Sequence, residues 1–161
     1  MVTRNDRYKQ GDTPVQPVAA VISAVVEGDT VLLVKRRNPP NAGRWGFPGG
    51  KIEFGETVHQ AAVRELHEEA GLQAVAERVF TAFDVFDHDA RATLQRHFVL
   101  IAVLCRDPDG VLTPGSDASD ARWFGLDEIE KAALTTSFYV QVANVARKAL
   151  ALSAATRDTP S

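Results

Sequence analysis

The sequence is poor in the residues that would staple a small secreted domain or bind duplex nucleic acid. It contains one cysteine, Cys105, in 161 residues, so no disulfide can form within the chain. Its 18 basic and 21 acidic side chains leave a formal net charge of -3. Because this charge provides no strongly basic surface for phosphates, we do not expect a nucleic-acid polymer as a partner.

Long hydrophobic runs are also missing. No run of about 18 consecutive apolar residues occurs, so the sequence predicts no membrane-spanning helix and no membrane partner. The first segment, MVTRNDRYKQGDTPVQP, has no apolar stretch of signal-peptide length, which favours a cytoplasmic protein. Cys105 lies in the apolar run FVLIAVLC, and this setting predicts a buried strand thiol rather than a nucleophile.

The composition that remains is typical of one globular domain. Hydrophobic residues make up 45% of the chain and charged residues 24%, enough for a sizeable core at this length. Both ends are polar or rich in small residues. We therefore predict one domain over residues 17–152, with flexible tails at 1–16 and 153–161.

The pattern of apolar residues predicts a mixture of strands and helices. Two β-branched runs at 18–26 and 30–37 flank Glu-Gly-Asp, which indicates a β-hairpin. Further strands are predicted at 77–86, 95–105 and 121–124, and helices at 58–70, 127–134 and 138–152. Because these elements alternate without a regular βαβ rhythm, we predict an α/β fold with a mixed sheet covered by helices.

The limits of the first helix are well marked. Thr57 and Gln60 have the spacing of a capping box, and Gly71 has the position of a C-terminal cap. The helix is therefore predicted over residues 58–70. Its apolar stripe, which should pack against the sheet, consists of Ala62, Val63, Leu66 and Ala70.

The same helix carries Glu65, Glu68 and Glu69 within an arc of about 100° beside the apolar stripe. Ala61 falls inside this arc, so we expect a shallow surface there with space between the carboxylates. Like charges at this spacing destabilise a helix by only about 0.2–0.5 kcal/mol per pair. Taken alone, the cluster is therefore also consistent with an ordinary solvated face.

The segment PGGKIEFGE, which precedes the helix, favours a metal site. A glycine-rich turn allows the backbone to approach an ion or a phosphate closely, and Glu56 adds a carboxylate at the start of the helix. Carboxylate oxygens suit hard cations such as Mg²⁺, which commonly bridges to substrate phosphates. Zinc would require His or Cys at ligand spacing, and the segment offers none.

Residues 50–72 resemble the signature box of the Nudix hydrolases. The pattern is Gly, five residues, Glu, seven residues, then Arg-Glu-apolar-any-Glu-Glu-any-Gly-apolar, and every defined position is met. These positions are Gly50, Glu56, Arg64, Glu65, Leu66, Glu68, Glu69, Gly71 and Leu72. The flanking strands, the FPGG lead-in and the later ARWF and LDEI segments extend the likeness over about residues 17–135.

The resemblance implies a Nudix-type α/β/α sandwich that hydrolyses a nucleoside diphosphate linked to another group. It also implies a divalent cofactor, Mg²⁺ with Mn²⁺ as a second option. Glu68 and Glu69 would be metal ligands, Glu65 a ligand or the general base, and the carbonyl of Gly49 a further ligand. Gly50 would allow the backbone to approach the substrate.

The resemblance also assigns roles to two other kinds of residue. Arg64 is expected to orient the glutamates, by pairing with Glu56, rather than to contact substrate. Family members often add an acid from the loop before the strand that carries the late Trp. Asp117 and Asp120 both satisfy this description, and we favour Asp117.

The substrate is less well determined. The length and the simple hairpin at the start resemble small Nudix proteins described as ADP-ribose pyrophosphatases, which favours ADP-ribose or a related sugar nucleotide. However, His88 stands sixteen residues after Leu72, where that subgroup commonly has proline. A pyrophosphohydrolase of oxidised nucleoside triphosphates is therefore an alternative, and a nucleotide sensor without turnover is an alternative of another class.

Several side chains outside the box are secondary candidates. Lys35, Arg36 and Arg37 end the second strand, where they could bind phosphates or be merely solvated. Trp45 and Phe138 could stack on a base or fill the core. His97 is predicted to be structural or on the surface, and His88 to lie at a hairpin tip. The family resemblance leaves room for a homodimer.

Overall fold

The computed structural model describes residues 16–39, 41–132 and 141–159. This part of the chain contains seven strands and three helices. In chain order they are β1 (Val18–Glu27), β2 (Thr30–Arg36), β3 (Trp45–Gly46), β4 (Gly49–Lys51), α1 (Val58–Ala70), β5 (Gln73–His88), β6 (Leu94–Asp109), β7 (Ala118–Gly125), α2 (Leu126–Ala132) and α3 (Val142–Arg157).

The strands form a mixed sheet. Their order is β3-β2-β1-β6-β5, with β4 paired to β1 and β7 paired to β2. Strand β1 runs parallel to β6, and the other pairs are antiparallel. The β1–β2 hairpin turns at Gly28, whose φ of 59° is readily adopted by glycine, which confirms the predicted turn.

The first hairpin opens just beyond its turn. Strands β1 and β2 pair only at Val26 with Val31 and at Glu27 with Thr30. Farther along, β1 pairs with β4 and β6, whereas β2 pairs with β3 and β7. The sheet therefore has two halves, and the space between their diverging strands becomes the cleft described below.

Helices cover both faces of the sheet, which confirms the predicted α/β/α sandwich. Helix α1 buries Ala62, Leu66 and Ala70 in one hydrophobic cluster with β1, β2 and β6. Helices α2 and α3 pack in a second cluster on the other face. The buried hydroxyl of Ser23 in β1 donates to the carbonyl of Ala62 at 2.7 Å and so fixes α1 to the sheet.

Helix α1 has the predicted bounds because both of its ends are determined locally. The Thr57 hydroxyl accepts from the backbone N–H of Gln60, and the Gln60 side chain accepts from the N–H of Thr57. Gly71 closes the helix in the left-handed conformation at φ 71°. These are the two arrangements that the capping box and the terminal glycine predicted.

Two helix positions differ from the prediction. Ala61 is fully buried, so it does not form a shallow surface between the glutamates. Val63 was expected in the packed stripe, but it is only partly buried and lies outside the core cluster. Compared with the prediction, the helix therefore turns Ala61 rather than Val63 toward the sheet. The small side chain of Ala61 permits close packing there.

The later strands are longer than predicted. Strands β5 and β6 each extend over 16 residues, and β7 begins at Ala118 rather than residue 121. Strand β4 was not predicted at all. Shifts of register interrupt the β5–β6 ladder, which obscures the alternation of apolar and polar residues. β4 is defined by pairing with β1 and not by local preference.

The final helices also differ from the prediction. Helix α2 spans Leu126–Ala132, and the predicted residues 133–134 lie outside the described part of the chain. Helix α3 runs from Val142 to Arg157, so residues 153–157 are helical rather than a tail, and the predicted helical residues 138–140 lie outside the described part of the chain. Alanine is the strongest helix former, and the small residues of this segment extend the helix.

Two further predictions concern membrane-spanning helices and the N-terminal tail, and the described residues bear only on the first. None of the helices in ranges 16–39, 41–132 and 141–159 is long and apolar enough to cross a membrane. The predicted N-terminal tail falls almost wholly on residues 1–15, outside the described residues. The extent of that tail stays a prediction.

Candidate active site

Arg64 on α1 holds Glu56 through a two-pronged ion pair. Its Nε donates to Glu56 Oε1 at 2.6 Å, and Nη2 donates to Oε2 at 3.0 Å. Nη2 also donates to the carbonyl of Lys51 at 3.1 Å. The guanidinium thus connects the helix to both the end of β4 and the following loop, as expected for a residue that pairs with Glu56.

The same guanidinium contacts two of the three clustered glutamates. Nη1 donates to Glu65 Oε1 at 2.9 Å and to Glu68 Oε2 at 3.3 Å. The hydrogen bonds from Arg64 hold the pKa of Glu56 below its usual range, and Glu56 in turn raises the pKa of Arg64. The structure thus shows the pairing of Arg64 with Glu56, and the role of Arg64 in orienting the glutamates stays a prediction.

Gly50 allows the Glu65 carboxylate to lie directly against the backbone of β4. A Cβ atom built at residue 50 would overlap that carboxylate, with Oε2 only 2.8 Å away. Glu65 is half-buried, and burial raises its pKa despite the opposing effect of Arg64. The defined glycine of the signature box thus has a steric explanation in the position of Glu65.

Glu69 has the most perturbed carboxyl group of the site. Burial, followed by the charge of Glu65, raises its pKa to about 8. The backbone N–H of Gly49 donates to Glu69 Oε2 at 3.3 Å and partly offsets this effect. Strongly shifted carboxyl groups in clefts are typical of functional sites, since a bound cation or substrate supplies the missing compensation.

Glu69 borders a cleft of about 230 Å³ that lies where the two halves of the sheet diverge. Its walls come from β2, β3, the start of β4, α1 and the loop before β7. The lining residues are Val34, Lys35, Arg36, Asn38, Arg44, Gly46, Phe47, Gly49, Glu69, Asp117 and Ala118. The cleft therefore brings the basic side chains of Lys35 and Arg36 together with the carboxylates of Glu69 and Asp117.

The structure separates the two candidate loop acids. Asp117 lines the cleft, and its charge contributes to the raised pKa of Glu69. Asp120 does not line the cleft, and its carboxylate instead accepts from the N–H of Ala121 at 2.8 Å. The geometry therefore favours Asp117, as the sequence did, and leaves Asp120 as a local capping group.

The three basic residues at the end of β2 have different surroundings. Arg36 lines the cleft, and its charge lowers the pKa of Glu69. Lys35 also lines it, with Nζ 5.9 Å from the centre of the Trp45 ring. Arg37 lies outside the cleft lining and donates from Nη2 to the carbonyl of Ala118 at 3.1 Å. The structure therefore offers Arg36, and not Arg37, to a substrate in this cleft.

The donor set fits a hard cation by its chemistry, although no closed cage is present. In the described ranges, no group of three or more His, Cys, Asp or Glu side chains surrounds one point. The Glu68 side chain is 56% exposed, and Arg64 holds Glu65 Oε1. The structure offers carboxylate oxygens from Glu65, Glu68 and Glu69 on one helix, with Glu69 next to the backbone of Gly49, and oxygen is the donor type that Mg²⁺ prefers.

Two residues of the site were missed in the sequence. Gly115 packs on α1 so closely that a Cβ there would overlap the carbonyl of Glu68. Asn38 donates from Nδ2 to Asp117 Oδ1 at 3.2 Å. Neither residue belongs to the signature box, and only the position of the loop against α1 and β2 reveals their role.

Of the remaining aromatic and histidine candidates, the three within the described ranges do not line the cleft. Trp45 is buried and meets Phe124 edge to face, with ring centres 4.9 Å apart, so it fills the core. His97 lies on the β5–β6 hairpin, where its Nε2 is 2.7 Å from Asp84 Oδ1. His88 is exposed at the end of β5, near the predicted hairpin tip. Phe138 lies outside the described residues.

The chain also matches a known family model over residues 15–143, which describes the NUDIX domain. The chain belongs to the Nudix family. Nudix hydrolases act on phosphoanhydride bonds of small nucleotide substrates, and they generally depend on a divalent metal. The fit of the Nudix box to the α1 carboxylates thus agrees with both the fold and the family.

Relatives of this Nudix protein carry names that refer to different substrates. An ADP-ribose pyrophosphatase of Methanocaldococcus jannaschii is 35% identical over 117 residues, which cover 73% of this chain and 67% of that protein. A putative 8-oxo-dGTP diphosphatase 2 of Mycobacterium tuberculosis is 52% identical over 64 residues, but these cover 37% of this chain and 45% of that protein. The relatives therefore support a Nudix pyrophosphohydrolase without resolving its substrate.

A solved structure agrees with the Nudix fold. The MutT NUDIX hydrolase from Burkholderia pseudomallei superposes with a TM-score of 0.67 at 29% identity, covering 82% of this chain and 97% of that chain. This similarity confirms the mixed sheet with helices on both faces. The homodimer and the cytoplasmic location stay predictions, which sedimentation velocity and cell fractionation would check.

Proposed function

We propose that this Nudix hydrolase cleaves the diphosphate linkage of ADP-ribose or a related sugar nucleotide, giving AMP and a sugar phosphate. The observation that carries the proposal is the position of Glu69. Its carboxylate is partly buried beside Gly49 and lines a cleft that Arg36 also lines. A divalent cation would complement the carboxylate, and Arg36 would complement the diphosphate.

Mg²⁺ is the proposed cofactor, with Mn²⁺ as a second option, and Glu65, Glu68, Glu69 and the carbonyl of Gly49 would hold it. When bound, the ion would neutralise charge on the diphosphate during attack by water. Arg36 and Lys35 would bind phosphate oxygens from the β2 side of the cleft. Gly50, without a side chain, leaves room for the Glu65 carboxylate against β4.

Asp117 is the proposed general base. Asn38 donates to its Oδ1 at 3.2 Å, and Asp117 lines the cleft beside Glu69. In the proposed reaction, water forms a new bond to one phosphorus as the bridging P–O bond breaks. Asp117 takes a proton from the attacking water, and the leaving phosphate keeps the electron pair of the broken bond. Glu65 is the alternative base, but Arg64 already binds it.

The relatives support the choice of a sugar nucleotide by the extent of the match. The similarity to the protein named ADP-ribose pyrophosphatase covers 73% of this chain, whereas the match to the protein named 8-oxo-dGTP diphosphatase covers 37%. The shorter match has the higher identity, 52% against 35%, and it keeps hydrolysis of oxidised nucleoside triphosphates as the second candidate.

A substrate panel tests the proposal. ADP-ribose, UDP-glucose, 8-oxo-dGTP and CTP would be compared at fixed Mg²⁺, with products separated by anion-exchange chromatography. AMP and ribose phosphate as the fastest products would support the proposal. Nucleoside monophosphate and pyrophosphate from 8-oxo-dGTP as the fastest reaction would instead establish the alternative.

Matched variants show whether turnover depends on this site. Glu69→Gln removes the partly buried carboxylate and should lower kcat by about 10²-fold or more. Glu128→Gln is a suitable control because Glu128 is exposed on α2 and faces Arg122 at 3.8 Å. Equal activity of the two variants would contradict the assignment of the cleft. Binding without product in the wild type would indicate a sensor.

A further inference from the structure

The loop that carries Asp117 is attached to the C-terminal end of α1. The N–H of Thr113 donates to the carbonyl of Ala70 at 2.8 Å, and the N–H of Gly115 donates to the carbonyl of Glu69 at 2.9 Å. These bonds use helix carbonyls that have no partner within the helix. The first half of the loop is therefore fixed to the same helix turn that carries the metal-binding candidates.

The second half of the loop is attached to the end of β2. The backbone N–H of Arg37 donates to the carbonyl of Asp117 at 2.9 Å, and the Arg37 guanidinium donates to the carbonyl of Ala118 at 3.1 Å. The amide of Asn38 donates to Asp117 Oδ1 at 3.2 Å. Two consecutive residues thus hold both the backbone and the side chain of Asp117.

A β-bulge in β7 determines which way this segment faces. Lys35 pairs with Asp120 but Arg36 pairs with Ala118, so Ser119 is the extra residue. Ala118 and Ala121 are consequently buried in the same cluster, although residues three apart in a regular strand face opposite sides. Bulges commonly redirect side chains next to active sites, and here the bulge lies immediately after Asp117.

We propose that Arg37 and Asn38 are positioning residues that hold the Asp117 carboxylate toward the cleft. This inference rests on the proposed function, in which Asp117 takes a proton from water. Arg37 acts on the backbone, because it binds the carbonyl beside Asp117, and Asn38 acts on the side chain, because its amide fixes one carboxylate oxygen. Neither residue contacts the substrate in this assignment, which replaces the predicted phosphate-binding role of Arg37.

A double-mutant cycle tests the inference. Asn38→Ala should lower kcat about 10-fold, the usual effect of losing a group that orients a catalytic residue, and leave KM within about twofold. Asp117→Asn should lower kcat by about 10²-fold or more. Because Asn38 acts through Asp117, the double variant should be no slower than Asp117→Asn alone.

Two further variants complete the experiment. Arg37→Gln should lower kcat and spare KM, whereas a phosphate-binding arginine would chiefly raise KM. Asn144→Ala, an exposed asparagine on α3 that bonds Gln141 and Arg147, is the matched control and should keep wild-type rates. Thermal melting of each variant shows whether it is folded, and the exposed Asn38 carries the test if Arg37→Gln is unstable.

The outcomes separate this inference from the proposed function. If the wild type turns over and Glu69→Gln does not, but Asn38→Ala is unchanged, only the positioning role fails. Additive effects of Asn38→Ala and Asp117→Asn would overturn it as well. If the wild type yields no product from any compound of the panel, the proposed function fails first and the inference fails with it.

Discussion

The carboxylate of Glu65 fills the space next to Gly50 that a side chain on residue 50 would need, because a Cβ there would overlap this carboxylate. Gly50→Ala should therefore displace Glu65 and weaken its hydrogen bond to Arg64. Since a displacement of about 1 Å at a catalytic centre can cost about 10²-fold in rate, we expect a loss of that size in kcat/KM. Steady-state kinetics at saturating Mg²⁺ would measure it.

The control for this substitution is Gly125→Ala. Gly125 ends β7, and a Cβ there meets no atom within 4 Å. This variant should keep wild-type activity. Full activity of Gly50→Ala would show that the carboxylate of Glu65 can shift without consequence, contrary to the role assigned to it.

Glu69 should make the stability of the metal-free protein depend on pH. Its folded-state pKa of about 8 lies above the ordinary value of 4.5, so the folded state keeps a proton that the unfolded state releases. The free energy of unfolding should therefore fall as pH rises from about 5 to 8, by at most about 1.4 kcal/mol per pH unit for one proton. Urea denaturation in EDTA at several pH values would measure this slope.

Two variants identify the group responsible. Glu69→Gln should flatten the slope, although Glu65, whose pKa is also raised by burial, should leave a residual dependence. Asn144→Ala, which removes no ionisable group and lies on α3, should retain the wild-type slope. If Glu69→Gln has the same pH dependence as the wild type, Glu69 is not the titrating group.

Thr57 should stabilise α1 through its capping box with Gln60. Thr57→Ala removes the acceptor for the N–H of Gln60 and should destabilise the protein by about 1 kcal/mol. For a domain of this size, that corresponds to a fall in Tm of about 2–4 °C by calorimetry. His59→Ala, at an exposed position in the same turn, should change Tm little. Equal effects of the two would argue against the cap.

Cys105 should be chemically inert in the folded protein. It is fully buried in β6, and burial raises the pKa of its thiol to about 12. Because the thiolate is the reactive form, we expect no reaction with a disulfide reagent at pH 8 until denaturant is added, and then one thiol per chain. Rapid labelling of the native protein would contradict the burial of Cys105.

The capping residues predicted the first helix, and the resemblance to the Nudix box implied the pairing of Arg64 with Glu56. Arg64 and Glu56 are eight positions apart and lie on the helix and its leading loop. Asp117 was favoured over Asp120, and the structure shows that only Asp117 of the two lines the cleft. The β-bulge at Ser119 lies between these two residues, and no local sequence pattern predicts it. Arg37 was considered for phosphate binding, but in the structure it donates to the carbonyl of Ala118, 81 positions away, which no local pattern indicates.

The sequence by itself determined the bounds of α1, the acidic box and the family, because helix caps and the spacing of the box are encoded within 23 consecutive residues. The tertiary structure decided the burial of Ala61, the existence of β4, the separation of Arg36 from Arg37 and the placement of Gly115 against α1. Each of these depends on backbone pairing or packing between segments that are distant in the chain. Such contacts form only when the two halves of the sheet and the helices pack against one another.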